Sequence, residues 1–219
     1  MRKITFLIVA AALFATDLVT KDWAFQFAGI PHDRGVIILE DYELSAGETI
    51  EVTDPVCGKI YLQGKSSPAK TYWLIEDLAG VQTSVNAGAL FGMGQGQGNL
   101  FAIISIAVGL VLLFSVFFGK ATQSRVLTIS FALVLAGILG NLYDRLGLHG
   151  LGQLIPVEAE PGTFLVQTQI VRDWILMYIG SYPWPNYNIA DVCLVVATGL
   201  ILIYVLFLDR RNPQPEEDA

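Results

Sequence analysis

Charge is scarce in this chain. Only 15% of its 219 residues are Asp, Glu, Lys or Arg, whereas soluble domains average about 25%. With 53% hydrophobic residues and a mean hydropathy of +0.55, that scarcity argues against an ordinary soluble domain and for a membrane protein. Positive charge is scarcer still. Thirteen Lys and Arg against 20 Asp and Glu leave a net charge of −7, so no basic face is on offer to nucleic acid. Cysteine and histidine number two each. Cys57 sits in a polar segment and Cys193 in an apolar run, which implies no disulfide framework. His32 and His149 are too isolated to frame a zinc site, and no metal or cofactor is expected. No internal repeat is visible.

What the chain does have is long apolar runs. Residues 100–119, 126–143 and 190–208 each reach roughly 25–30 Å as helices, enough to cross a hydrocarbon core. A first run, residues 4–28, is interrupted by a polar patch. After "MRK" it also reads as a secretory signal peptide, but no small-x-small cleavage site follows it at a suitable distance, and apolar character resumes after Lys21. Basic residues fix the orientation. Arg2 and Lys3 precede the first run, Lys120 and Arg125 link the second and third, and Arg210 and Arg211 follow the fourth. All three places share one side if four helices alternate, and positive charge marks the cytoplasm. Both termini are then cytoplasmic, and the acidic connections 30–99 and 145–187 are outside.

The expected architecture is a membrane all-α four-transmembrane-helix bundle with a small extracytoplasmic β-containing subdomain. It forms one domain over 1–209, with a disordered cytoplasmic tail at 210–219. The sheet is read from "TIEVT", "KIYLQ" and "TYWLIE", which alternate or are β-rich between turn signals. The stretch "NAGALFGMGQGQGN" is Gly-rich and leads into the second helix. Trp73, Trp174 and Trp184 suit an interfacial belt.

Three polar motifs interrupt the apolar runs. "ILGNLYDRLG" ends the third and "YNIADVCLVV" opens the fourth, each with Asn-x-x-Asp: Asn141–Asp144 and Asn188–Asp191. Positions i and i+3 share a helix face. The alternating topology puts both acids at similar depth near the outer surface. Asp17 and Lys21, one turn apart in the first run, fall in the same layer, roughly 20 Å from the inner side. Either Asn-x-x-Asp motif alone reads equally as a helix cap or an interfacial ion pair, and Asp17–Lys21 also reads as a buried pair that positions the first helix. Together they place ionisable groups from three helices at one depth, the pattern of a functional site. Two neighbouring carboxylates can divide acid and base roles, one activating water while the other protonates or hydrogen-bonds a carbonyl oxygen.

The blocks "TDLVTK", "NAGALF", "AGILGNLYDRL" and "YNIAD" resemble the four signature blocks of the lipoprotein signal peptidase family, signal peptidase II, in that family's order and across essentially the whole chain. The resemblance implies an inner-membrane aspartyl endopeptidase. It would remove the signal peptide of diacylglyceryl-modified prolipoproteins on the N-terminal side of the lipidated cysteine. It also retires the cleaved-signal reading, since the first helix would carry part of the site. Carried over, Asp144 and Asp191 form the catalytic dyad. Asn86, Gly88, Phe91, Asn141, Arg145, Asn188 and Ala190 line or brace the site, and Asp17 and Lys21 fill the first-helix motif. Asp173, in "VRDWI", matches a further family acid. Implied partners are prolipoprotein substrates and membrane lipids, with the chain a monomer. Leu90 and Tyr187 depart from the family's usual Ala and Phe.

Other classes fit less well. A presenilin-like protease would show a Gly-x-Gly-Asp block, which is missing from the chain. A proton-coupled transporter favours midplane acids, broken helices and a repeat. Ser84 and Ser181 have no His partner at a credible position for a triad. Cys193 reads as a packing residue.

Overall fold

The computed structural model describes residues 1–29, 36–38, 49–54, 58–63, 70–86, 97–119, 122–159 and 162–208. Among the described residues, four helices are long and apolar enough to cross a membrane: α1 (Arg2–Ala28), α2 (Gly98–Phe117), α3 (Arg125–Arg145) and α4 (Ile189–Ile203), the last continued by a π-helical turn, Tyr204–Leu208. Each boundary falls within two residues of the one expected from the apolar runs. The chain divides into two compact units. One holds Met1–Leu18, Ser105–Gly140 and Ile189 onward, and the other Val19–Ile104 and Asn141–Asn188.

The first unit is helical. Phe6 and Ala10 of α1 pack with Leu112 and Val116 of α2 and Ala132 and Leu135 of α3. Large apolar side chains such as Ile8, Val111, Phe114 and Val195 point outward, as a helix surface facing lipid requires. Hydroxyls are satisfied within their own helices. Thr16, Ser115, Thr128, Ser130 and Thr198 each donate to the carbonyl four residues earlier at 2.7–2.8 Å, the local bond open to Ser and Thr where water is excluded. Lys3 Nζ donates to Phe117 O at 2.8 Å, and Arg2 donates to Thr122 O and Gln123 O. These bonds satisfy chain carbonyls at and after the C-terminus of α2.

Among the described residues the second unit contains nine strands: β1 (Val36–Ile38), β2 (Thr49–Asp54), β3 (Gly58–Gln63), β4 (Tyr72–Ile75), β5 (Ala79–Asn86), β6 (Leu151–Ala159), β7 (Gly162–Gln169), β8 (Val171–Ile179) and β9 (Tyr182–Tyr187). They form antiparallel sheets ordered β1-β6-β7, β2-β3 and β4-β5-β8-β9. The all-α description therefore holds only for the spanning segments. The strands expected from "TIEVT", "KIYLQ" and "TYWLIE" are present as β2, β3 and β4, but both long connections are β-rich. β8 is dense in branched and aromatic residues, which favour a half-buried pleated surface. Pro183 and Pro185 fall on β9, an edge strand, where a missing amide costs no ladder bond.

Candidate active site

The last turn of α3 carries a carboxylate with no exposure at all, Asp144. The helix stops just beyond it. Gly147 adopts φ +70° and its amide bonds back to Asp144 O at 2.9 Å, a left-handed helix cap that favours glycine. Four donors surround the Asp144 carboxylate. Oδ2 lies 3.1 Å from Lys21 Nζ of α1 and accepts the Arg172 amide at 2.9 Å. Oδ1 accepts Arg172 Nε at 3.2 Å and Nη2 at 3.1 Å. The third guanidinium nitrogen, Nη1, pairs with Asp22 Oδ1. Two cations and two anions thus alternate in the order Lys21, Asp144, Arg172, Asp22. Burial disfavours the charged Arg172, but Asp144 first and Asp22 after it more than offset this and hold its pKa above the ordinary arginine value.

A second set of contacts leads from this cluster to another acid. Lys21 Nζ donates to Asn141 Oδ1 at 3.3 Å. That oxygen also accepts Asn188 Nδ2 at 3.1 Å, and the same Nδ2 reaches Asp173 Oδ1 at 2.7 Å and Arg172 O at 3.4 Å. Asn188 is fully buried and Asp173 is 5% exposed. Antiparallel register pairs Asp173 with Ser84 and Val171 with Asn86. Facing residues share a side of the sheet, so Asn86 lies diagonally across from Asp173 on one face. Asn188 immediately precedes α4 rather than belonging to it, so the second Asn-x-x-Asp motif straddles the helix start.

In the helical unit, Asp17 Oδ1 accepts the Ala190 amide at 2.8 Å. It thereby satisfies one of the orphan donors in the first turn of α4. Gly140 makes room for this contact: a Cβ there would strike the Asp17 carboxylate and the Ala190 methyl. Asp191 occupies the first turn of α4 and is half-buried. Negative charge is favoured there by the helix dipole.

Further groups frame the sheet-bearing unit. The Arg145 guanidinium lies 5.6 Å from the Phe101 ring centroid, within cation–π range. His149 Nδ1 accepts the Leu151 amide at 3.1 Å, and Nε2 lies 3.0 Å from Ile170 O. The ring is therefore the neutral Nε2–H tautomer, donating to Ile170. Burial lowers its pKa, against the opposing pull of Asp144. Trp23 stacks on Phe27 at 5.4 Å and meets Trp174 edge-on at 5.9 Å.

Of the sequence-predicted residues, Lys21, Asn141, Asp144, Asp173 and Asn188 meet in one hydrogen-bonded cluster. Asp17 and Ala190 meet in one contact, and Asn86 shares the Asp173 face. Gly88, Leu90 and Phe91 lie outside the described residues, as do Lys120, Arg210 and Arg211 of the charge pattern. Sequence reasoning passed over Arg172 and Asp22. The signal for Arg172 was present, since "IVRDWILMYI" sets an arginine beside an acid in a strand otherwise built for burial.

Four helices of membrane-spanning length and a buried carboxylate cluster held at helix and strand ends define a multi-pass membrane protein with a charged internal centre. A family model described as Signal peptidase (SPase) II matches residues 51–207, and the chain belongs to that family. It is 40% identical over 159 residues to the lipoprotein signal peptidase of Rhodopirellula baltica, covering 72% of this chain and 66% of that protein. It is 28% identical over 130 residues to that of Symbiobacterium thermophilum, covering 58% and 70%. To that of Photorhabdus laumondii it is 32% identical over 103 residues, covering 47% and 49%. The matched stretches thus span 49–70% of these relatives' lengths. Two solved bacterial membrane enzyme structures share the fold. One has TM-score 0.62 at 22% identity, over 98% of this chain and 94% of that one. The other has TM-score 0.55 at 23% identity, over 93% of each.

Proposed function

We propose that this chain is an aspartyl endopeptidase that cleaves the signal peptide from diacylglyceryl-modified prolipoproteins on the N-terminal side of the lipidated cysteine. Family membership and the curated relatives' shared name support the substrate class. Asp173 and Asp191 carry the reaction in this reading. The sequence alone favours Asp144 with Asp191, and the ion pairs argue for exchanging Asp144 for Asp173. Four donor atoms surround the Asp144 carboxylate, three of them from two cationic groups, the Lys21 ammonium and the Arg172 guanidinium. A carboxylate held by so many donors suits a fixed structural charge better than an acid that must meet water and substrate. Asp173 is held by a neutral amide, Asn188, which stands three residues before Asp191 at the start of α4. That contact is the observation that carries the assignment.

One of the two acids takes a proton from water as it attacks the scissile carbonyl. The other donates to the carbonyl oxygen, and the proton then passes to the departing amine, as in other two-carboxylate proteases. Asp17, Lys21, Asn141, Asp144, Arg145 and Ala190 brace this arrangement. The single protease domain lies in the bacterial cytoplasmic membrane as a monomer. Both termini face the cytoplasm and the site opens toward the outer face, as the positions of Arg2, Lys3, Lys120, Arg125, Arg210 and Arg211 favour. Acyl chains on the substrate cysteine hold the peptide at the depth of the acids, each buried methylene contributing about 0.8 kcal/mol, and cut the entropic cost of alignment.

The test compares initial rates on purified lipidated and unlipidated prolipoprotein in one detergent, with Asp173→Asn, Asp191→Asn and Asp144→Asn proteins alongside. The lipidated substrate is cut far faster, in the presence of EDTA as in its absence. Equal rates on both substrates would remove the lipid requirement, and turnover by Asp173→Asn would return the dyad to Asp144.

A further inference from the structure

Arg172, a residue of β8, is tied by charge to α1 through Asp22 and to α3 through Asp144. Its backbone and side chain act on the same partner. The Arg172 amide takes one oxygen of Asp144 and the guanidinium takes the other by Nε and Nη2, at 2.9, 3.2 and 3.1 Å. A carboxylate gripped from both ends of one residue fixes that residue's position along its strand as well as its rotamer. The next residue in the strand is Asp173. Asn188 Nδ2 contacts Arg172 O and Asp173 Oδ1 together, so the grip and the acid share a second support.

The outer corner differs from the inner ones. The Asp144 side chain is 0% exposed and that of Arg172 is 4%, whereas that of Asp22 is 58% exposed. Lys21 and Asp22 are adjacent in α1, so one helical turn supplies a cation to the inner end of the cluster and an anion to its solvent end. The four charges sum to zero, which makes the buried members tolerable. The planar fork is essential to the arrangement. A lysine at 172 would present one ammonium where three guanidinium nitrogens now bind two carboxylates, so it could not hold both.

We propose that Arg172 is a positioning residue for the hydrolytic reaction, pinning the start of β8 to α3 and α1 so that the Asp173 carboxylate keeps its reacting position, with Asp22 as the solvent-side lock. The proposal rests on the reading of Asp173 given above. It predicts an effect on turnover more than on substrate capture, because the grip acts through the position of Asp173. Among the described residues, the charged and titratable groups around it are Lys21 and Asp22 from α1, Asp144 from α3 and Asp173 beside it in β8, with neutral His149 in the turn after α3.

The experiment uses the full-length protein in detergent with a diacylglyceryl prolipoprotein substrate. It measures kcat, KM and the pH–rate profile for wild type, Arg172→Lys, Arg172→Met, Asp22→Asn and Asp173→Asn. Arg172→Lys lowers kcat roughly 10- to 100-fold with KM nearly unchanged, the scale of loss that a small misplacement of a reacting group produces. The acid limb of its profile keeps its place, because the charge is retained. Arg172→Met lowers kcat at least as far and moves the acid limb to higher pH, since a cation that favours ionised neighbours is gone. Asp22→Asn moves kcat the same way by a smaller factor. Wild-type kcat and an unmoved acid limb in both Arg172 variants, with Asp173→Asn inactive, would overturn the grip while leaving Asp173 in its role. If Arg172→Met does not fold, Arg172→Lys decides alone on its ratio of kcat to KM loss. Turnover by Asp173→Asn would overturn the underlying reading and the positioning claim with it.

Discussion

The helical unit and the sheet-bearing unit handle polar groups removed from water in opposite ways. In the first, hydroxyls bond to their own helix four residues back, and the buried acid Asp17 bonds a backbone amide of α4. In the second, Lys21, Asp144, Arg172 and Asp22 neutralise one another across α1, α3 and β8, and Asn141 and Asn188 extend the set to Asp173. The difference teaches where function resides. Ser and Thr spans meet the demands of lipid without reference to the rest of the chain, whereas a closed charge cluster requires several elements to be in place at once. Charge buried at that cost makes the cluster a candidate functional centre.

The comparison is broken most sharply at the acids. Asp173→Asn and Asp191→Asn each reduce kcat by roughly 10²- to 10⁴-fold, the range for loss of a positioned acid or base, while the detergent melting temperature stays near wild type. Asp144→Asn does the reverse in emphasis. It removes the buried anion that faces Lys21 and Arg172, at a stability loss of about 3–5 kcal/mol for a broken buried pair, read by thermal unfolding in detergent. A melting temperature unchanged in Asp144→Asn would mean that the cluster is no brace.

A smaller effect tests the helical unit. Gly140→Ala places a methyl against Asp17 and Ala190, and overpacking of this kind costs about 1–3 kcal/mol. The loss is read as a lower melting temperature with the kcat of the surviving enzyme reduced, since Asp17 braces the start of α4. Wild-type stability would show that the close approach is not needed.

His149 supplies the pH test. Its folded pKa lies below the ordinary 6.5, so the unfolded chain binds a proton that the native ring refuses. The stability it contributes is therefore present above about pH 6.5 and is lost as pH falls from there toward the lowered native value. Melting temperature declines across that window, and His149→Gln shows a shallower decline. An unchanged slope in the variant would assign the pH dependence elsewhere. The smallest effect expected is that of Thr198→Ala, within about 0.5 kcal/mol, because its hydroxyl bonds only its own helix at an exposed position.

Much of this molecule is legible in one dimension. Spans of apolar residues gave four helices to within two residues, because lipid forces every backbone bond inside the segment and the segment's length is set by the bilayer. The alternating stretches at 49–54, 58–63 and 72–75 announced strands by their period. β8 and β9 were harder to see. β8 is apolar along nearly its whole length and β9 carries two prolines, so neither has the simple alternation that marks a strand with one wet face.

The candidate site divides along the same line. Sequence by itself determined which ionisable residues are embedded in apolar surroundings, in what order, and that Asn141 and Asp144 share a face, since those follow from helix period and hydropathy alone. Pairings belong to tertiary structure. Lys21 and Asp144 are 123 positions apart, and Asp22 and Arg172 are 150 apart. No spacing rule links residues at such distances. In the fold, the bonds between Arg172 and Asp144 hold the start of β8 at the end of α3. A carboxylate's neighbours decide whether it stays a fixed charge or moves a proton, and here those neighbours come from other elements of the fold.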